Sequence, residues 1–158
     1  MTIRAFAVGI VFVTCAFVVF PSAFVELSDR ARWPIWHSEV GNFLGWVLIA
    51  AGVVVAAYCS NLFRRRGGGT PVPVQPPTRL VTTGLYTYSR NPIYVADTMI
   101  LLGIFLVNGH AGLLLYAALF LAVAHALVVL HEEPVLRRRF GADFDRWAAH
   151  VPRWIGWR

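Results

Sequence analysis

The amino-acid sequence predicts an all-α integral membrane protein, with about four transmembrane helices followed by a C-terminal amphipathic helix. Three observations predict it. Apolar residues fill 58% of the 158 positions, well above a typical soluble domain, so lipid is the expected solvent. They gather into four apolar runs, near residues 5–27, 40–63, 93–107 and 111–130, on the scale of a hydrocarbon core. All 14 basic residues are arginine; they bracket the runs and form no continuous stripe, which favours membrane orientation over nucleic acid.

The first run follows Arg4 and is broken only by Pro21 and Ser22. A secretory signal is the rival reading, but the run is long for one and Pro21 spoils the small-residue cleavage pattern, so a span is expected. Glu26 to Glu39 is a polar link whose Trp33 and Trp36 suit a membrane interface. In the second run, Gly41 and Gly45 form a small-xxx-small face that would admit a neighbouring helix, an oligomer seam included. Arg64, Arg65 and Arg66 end it. Gly67 to Pro77 is too rich in glycine and proline for helix or sheet, and predicts an extended connector.

Pro92 suits the first turn of a helix and opens the short third span, which contains Asp97. Asn108-Gly109 signals a tight turn, and the fourth span carries His125. The resulting hairpin returns His131-Glu132-Glu133 to the side of Arg90 and Asn91. After Pro134, residues Leu136, Phe140, Phe144 and Trp147 recur at helical spacing. One amphipathic helix is expected there, weakened by Gly141, lying on the membrane or over the site. Trp154 and Trp157 are read as interface anchors. Cys15 and Cys59 sit in apolar runs with no partner motif, so neither disulfide nor metal site is expected.

Four spans give one domain, residues 1–158: two N-terminal spans over 1–63, a cytoplasmic connector over 64–91, and a hairpin with its C-terminal helix over 92–158. Twelve arginines then fall on one side, and Arg30 and Arg32 on the other. That asymmetry predicts cytoplasmic termini and cytoplasmic polar clusters, in what is read as a bacterial inner membrane.

Those clusters carry the chemistry. Gly84 to Tyr94 holds Arg90 with Tyr86, Tyr88 and Tyr94, and His131 to Pro134 holds two acids. Such groups are costly near hydrocarbon, and two clusters meeting at one face suggest a site. Arg90 suits a carboxylate. Glu132 and Glu133 suit hydroxyl or ammonium donors. The tyrosines suit an adenine ring or a cation. Together they match S-adenosylmethionine, whose methyl transfer needs alignment and desolvation more than acid–base machinery. Singly, each has a plainer reading: a snorkelling arginine, belt tyrosines, acids opening a helix.

Gly84-Leu-Tyr-x-Tyr-x-Arg-Asn-Pro-x-Tyr94, then Glu132-Glu-Pro-x-Leu-x-x-x-Phe-Gly141 and Val151-Pro-Arg153, resembles the isoprenylcysteine carboxyl methyltransferase and phospholipid methyltransferase superfamily. The resemblance covers roughly Thr78 to Trp154. It implies a membrane enzyme that uses S-adenosylmethionine, encloses it in the C-terminal half, and takes a lipophilic substrate from the bilayer. Carried over by position, Leu80, Val81, Tyr86, Pro92, Tyr94 and Glu132 would line the cofactor pocket, with Arg90, Asn91 and Glu133 beside them. Asn91 stands where isoprenylcysteine enzymes usually have histidine. Val128 stands where they place the arginine that reads a substrate carboxylate. His125 is the candidate replacement on the substrate side. It precedes Glu132 by seven residues, two helical turns, so both would share a face. A hydrogen bond from His125 to another span, for instance to Asp97, is the alternative, and a helix–helix contact is the expectation for Asp97. The competing functions are an NADPH-dependent reductase of the sterol reductase type and a non-catalytic lipid-binding scaffold.

Overall fold

Four apolar rods run back and forth, each ended where polar or conformationally special residues take over. The computed structural model describes residues 3–68 and 78–156, with side chains from residue 7 onward. Among the described residues it is helical, apart from short links and an isolated pairing of Ile35 with His110.

The first rod joins α1 (Ile3–Thr14) to α2 (Phe20–Arg30) through one wide π turn, Cys15–Val19. Pro21 follows that turn and leaves one of its carbonyls without a backbone donor. In a π turn residue 21 would donate to the carbonyl of Ala16, and proline has no N–H to give. The Tyr116 hydroxyl donates to Ala16 O instead, at 2.8 Å, so the orphaned carbonyl is satisfied from another rod.

The second rod is α3 (Glu39–Leu62), extended by a π turn over Phe63–Gly67. Ser38 caps it by accepting from Gly41 N at 3.3 Å, the usual service of an N-cap hydroxyl. The third rod, α4 (Pro92–Asn108), is the shortest, at 17 residues, or about 25 Å. The fourth runs from Ala111 to Phe140 without interruption: α5 (Ala111–Leu127), a π turn (Val128–Glu132) and α6 (Glu133–Phe140). Three rods are long and apolar enough to cross a membrane, Ala7–Arg30, Glu39–Gly67 and Ala111–Phe140, and α4 is a shorter apolar helix between them. The chain is therefore an all-α integral membrane protein.

Two expectations change here. The fourth span does not stop before Pro134; the wide turn at 128–132 absorbs the missing donor and the helix continues. The single C-terminal helix is instead two. Gly141, at φ 51°, breaks it, and α7 (Ala142–His150) turns back. That positive φ strains any residue with a Cβ.

Packing explains the glycines of α3. A Cβ on Gly45 would lie 2.8 Å from Gly103 O, and one on Gly52 would lie 2.8 Å from Ala96 O. These absences let α3 and α4 approach backbone to backbone. The proposed Gly41/Gly45 oligomer face is thus filled from within, Gly45 by α4 and Gly41 by Ser38 and Leu106. On the other side, Leu101 of α4 packs with Tyr116 and Ala117 of α5 and with Phe17 and Phe24 of the first rod. The connector of residues 69–77 lies outside the described residues. Its flanks meet, because the Gly67 carbonyl accepts from Thr78 N at 2.7 Å.

Candidate functional site

At the end of the bundle where α4 begins, Gly84 (φ 64°) enters a 3-10 turn, Gly84–Thr87. The turn drives Tyr86 inward against Cys59 and Val81, with Phe63, Ile93 and Trp147 around it. Trp147 of α7 donates its Nε1–H to the Tyr86 carbonyl at 3.1 Å, so α7 lies over the site and not flat on the membrane. Burial, then Cys59 and Glu132, push the Tyr86 phenol above its ordinary range. It stays a neutral hydroxyl within electrostatic reach of Glu132.

The chain then passes through Ser89, Arg90 and Asn91, which bind the C-terminal segment. Arg90 N donates to Pro152 O at 2.9 Å. Ser89 Oγ and Asn91 Nδ2 both donate to Arg153 O, at 3.3 and 3.0 Å. Glu133, 9% exposed, takes two guanidinium groups. Arg90 reaches it at 3.0 Å, and Arg153 grips it in a two-pronged pair at 2.8 and 2.9 Å. The hydrogen bond to Glu133 holds Arg153 above its usual range. A buried carboxylate is tolerable only with such partners.

One turn into α4, the Tyr94 hydroxyl donates to Glu132 Oε1 at 2.6 Å. The Tyr94 ring meets Trp154 edge-on, with centroids 6.4 Å apart. Trp154 also stacks on His125 at 6.0 Å and donates Nε1–H to its Nδ1 at 3.2 Å. A single aromatic thus links the two acids' neighbourhood to His125. The link through Trp154 is needed because the π turn between His125 and Glu132 is wider than an α turn and spoils the two-turn register expected of them.

The structure therefore brings together Tyr86, Arg90, Asn91, Tyr94, Glu132 and Glu133, with Pro92 buried where α4 starts and Val81 in the adjoining core. Leu80 is half-buried beside Val81. Tyr88 is not part of the site: it is 74% exposed and lines an open groove of about 560 Å³ with Tyr58 and Leu85. His125 is exposed, and its partner is Trp154 rather than Asp97. The helix–helix contact expected of Asp97 is missing among the described residues, although the residue is 8% exposed. Trp154 packs between Tyr94 and His125; Trp157 lies outside the described residues. Ser89, Arg153 and Trp154 are the members that sequence reasoning missed. Val151-Pro-Arg153 was visible as a motif, but nothing local assigns its arginine to Glu133.

Comparison with known proteins identifies the family. A family model described as phospholipid methyltransferase matches residues 40–143. The nickel-cobalt-cadmium resistance protein NccN of Alcaligenes xylosoxydans xylosoxydans is 33% identical over 127 residues, covering 80% of this chain and 55% of that protein. The chain thus spans about half the length of this curated relative. No solved structure matches. The matched stretch holds α3, the Gly84–Tyr94 segment and the Glu132–Glu133 pair, and it covers well over half of the sequence. The chain belongs to the phospholipid methyltransferase family.

Proposed function

We propose that this protein transfers a methyl group from S-adenosylmethionine to a lipophilic acceptor at one face of the membrane. One observation supports the reading above the others. Residues 38 to 64 positions apart in sequence converge in hydrogen bonds at one end of the α4–α5 hairpin, through Tyr94–Glu132, Ser89–Arg153 and Asn91–Arg153. Membership of a methyltransferase family favours this over the reductase and scaffold readings.

The residues present suit the donor. Glu132 uses one acceptor position on Tyr94, and a carboxylate offers about four, so a ribose hydroxyl or an ammonium has room to bind. Arg153, held by Glu133 beside Arg90, presents a guanidinium to a carboxylate. Tyr86, Tyr94 and Trp154 offer faces to an adenine or a cation. Leu80, Val81 and Pro92 supply apolar walls, and Asn91 a hydrogen-bonding amide. When bound, the donor supplies an already activated methyl group. The chain's task is then to align it and keep water out. His125, tied to Trp154, is proposed to orient the acceptor. In this reading residues 1–158 act as one membrane domain, with both termini and the site in the cytoplasm, following the arginine asymmetry.

Isothermal titration of the purified protein with S-adenosylmethionine tests the first step, and tritiated methyl transfer into extracted lipids tests the second. Glu132→Ala and Tyr94→Ala should each weaken donor binding at least about tenfold, about 1.4 kcal/mol, without loss of membrane insertion. Wild-type affinity in both variants would remove the assigned pocket. His125→Ala should lose turnover and keep donor binding.

A further inference from the structure

Asp97 is a carboxyl group inside a membrane rod, and among the described residues no polar partner explains it. It is 8% exposed. Among the described residues, no hydrogen bond or ion pair reaches it. Isolated acids are rare in spans, and those present usually face a functional interior. The site's arginines lie elsewhere: Arg90 and Arg153 both pair with Glu133.

Its place in the helix is informative. Asp97 follows Tyr94 by three residues and precedes Leu101 by four, which puts all three on one face of α4. Tyr94 marks the polar end of that face through Glu132. Leu101 marks the apolar end, in the cluster with Tyr116, Phe17 and Phe24. The Asp97 carboxyl lies within electrostatic reach of the Tyr94 phenol. On this face Asp97 is the polar group between the Tyr94–Glu132 pair and the apolar cluster around Leu101.

We infer that Asp97 takes the proton from the methyl acceptor, and that the acceptor is a lipophilic group bearing a transferable hydrogen and not a carboxylate. The inference rests on the methyl-transfer reading above. In the step, the acceptor heteroatom bonds to the methyl carbon and its proton passes to the Asp97 carboxylate. The electron pair of the broken sulfur–carbon bond stays on sulfur, which leaves as a thioether. A carboxylate acceptor has no proton to give and would meet a like charge at Asp97.

The test uses the full chain in lipid nanodiscs, tritiated S-adenosylmethionine, and vesicles made from lipids of the expressing membranes. Asp97→Asn should lower kcat about 100-fold or more, the scale of a lost general base, while donor affinity stays within about twofold. Asp97→Glu should recover part of the turnover, because it restores the base. The label in wild-type product should resist alkaline hydrolysis; release as tritiated methanol marks a methyl ester and overturns the proposal. A second readout needs no turnover. A lipid-soluble carbodiimide should modify Asp97 of the wild-type protein, located by peptide mass spectrometry, and the lipid vesicles should slow it. Absence of that adduct overturns access from the bilayer, whatever the variants do. If the donor does not bind the wild-type protein, the methyl-transfer reading itself falls. If it binds and Asp97→Asn turns over normally, only the role of Asp97 falls.

Discussion

The two ends of the bundle solve the same problem differently. At the end holding the 28–39 link, the chain is tied mainly through backbone groups. Ser28 Oγ accepts from Gly112 N at 2.8 Å, Trp36 N donates to Gly109 O at 2.9 Å, and His110 meets an exposed Asp29 at 3.2 Å. Gly109 takes a left-handed conformation against Trp36, where a Cβ would clash with the Trp36 carbonyl. At the other end, ties to backbone carbonyls are joined by ties between charged side chains. Glu133 is buried between two arginines, and Tyr94 spends its hydroxyl on Glu132. Turn closure needs only the first kind of tie. Buried ion pairs cost desolvation that a hydrophobic cluster would avoid, so helix packing alone does not account for their presence at this end.

The contrast can be broken by substitution. The largest effect is expected from Glu133→Ala, which strips the carboxylate shared by Arg90 and Arg153. Breaking a buried pair costs about 3–5 kcal/mol, read as a lower SDS midpoint for unfolding in mixed micelles, and donor binding should fall with it. At the opposite end Ser28→Ala orphans the Gly112 N–H at a fully buried position. About 1–3 kcal/mol should be lost, with donor affinity unchanged. Asp29→Ala should matter least, below about 1 kcal/mol, because its pair with His110 is half in solvent. Equal losses of donor affinity at both ends would remove the distinction.

Much of the fold was legible because the bilayer constrains sequence harder than water does. Backbone in hydrocarbon must be helical or close into a barrel, and runs this long and apolar name helical rods, with Pro92 and Asn108-Gly109 marking their ends. The site was legible only in part. Arg90, Tyr94 and the two acids drew notice as polar residues in an apolar chain. Trp154 did not, since an aromatic near a terminus looks the same whether it anchors to lipid or packs on His125. The Gly41/Gly45 pattern announces a close helix without saying whose helix it is. Pro134 reads as a stop, yet a π turn lets the helix continue and resets the phase of everything after it.

The sequence by itself determined the solvent of this protein, the number of its rods, and the fact that both polar clusters lie at the same end. Each of these follows from local hydropathy and from counting crossings. Only the tertiary structure decided that Glu133 is shared by Arg90 and Arg153, that Trp154 bridges Tyr94 and His125, and that Asp97 has no hydrogen-bond or ion-pair partner among the described residues. Those outcomes depend on helix phase and on the distance between rods. Wide turns at prolines and glycine seams between backbones set both, and neither is additive along the chain.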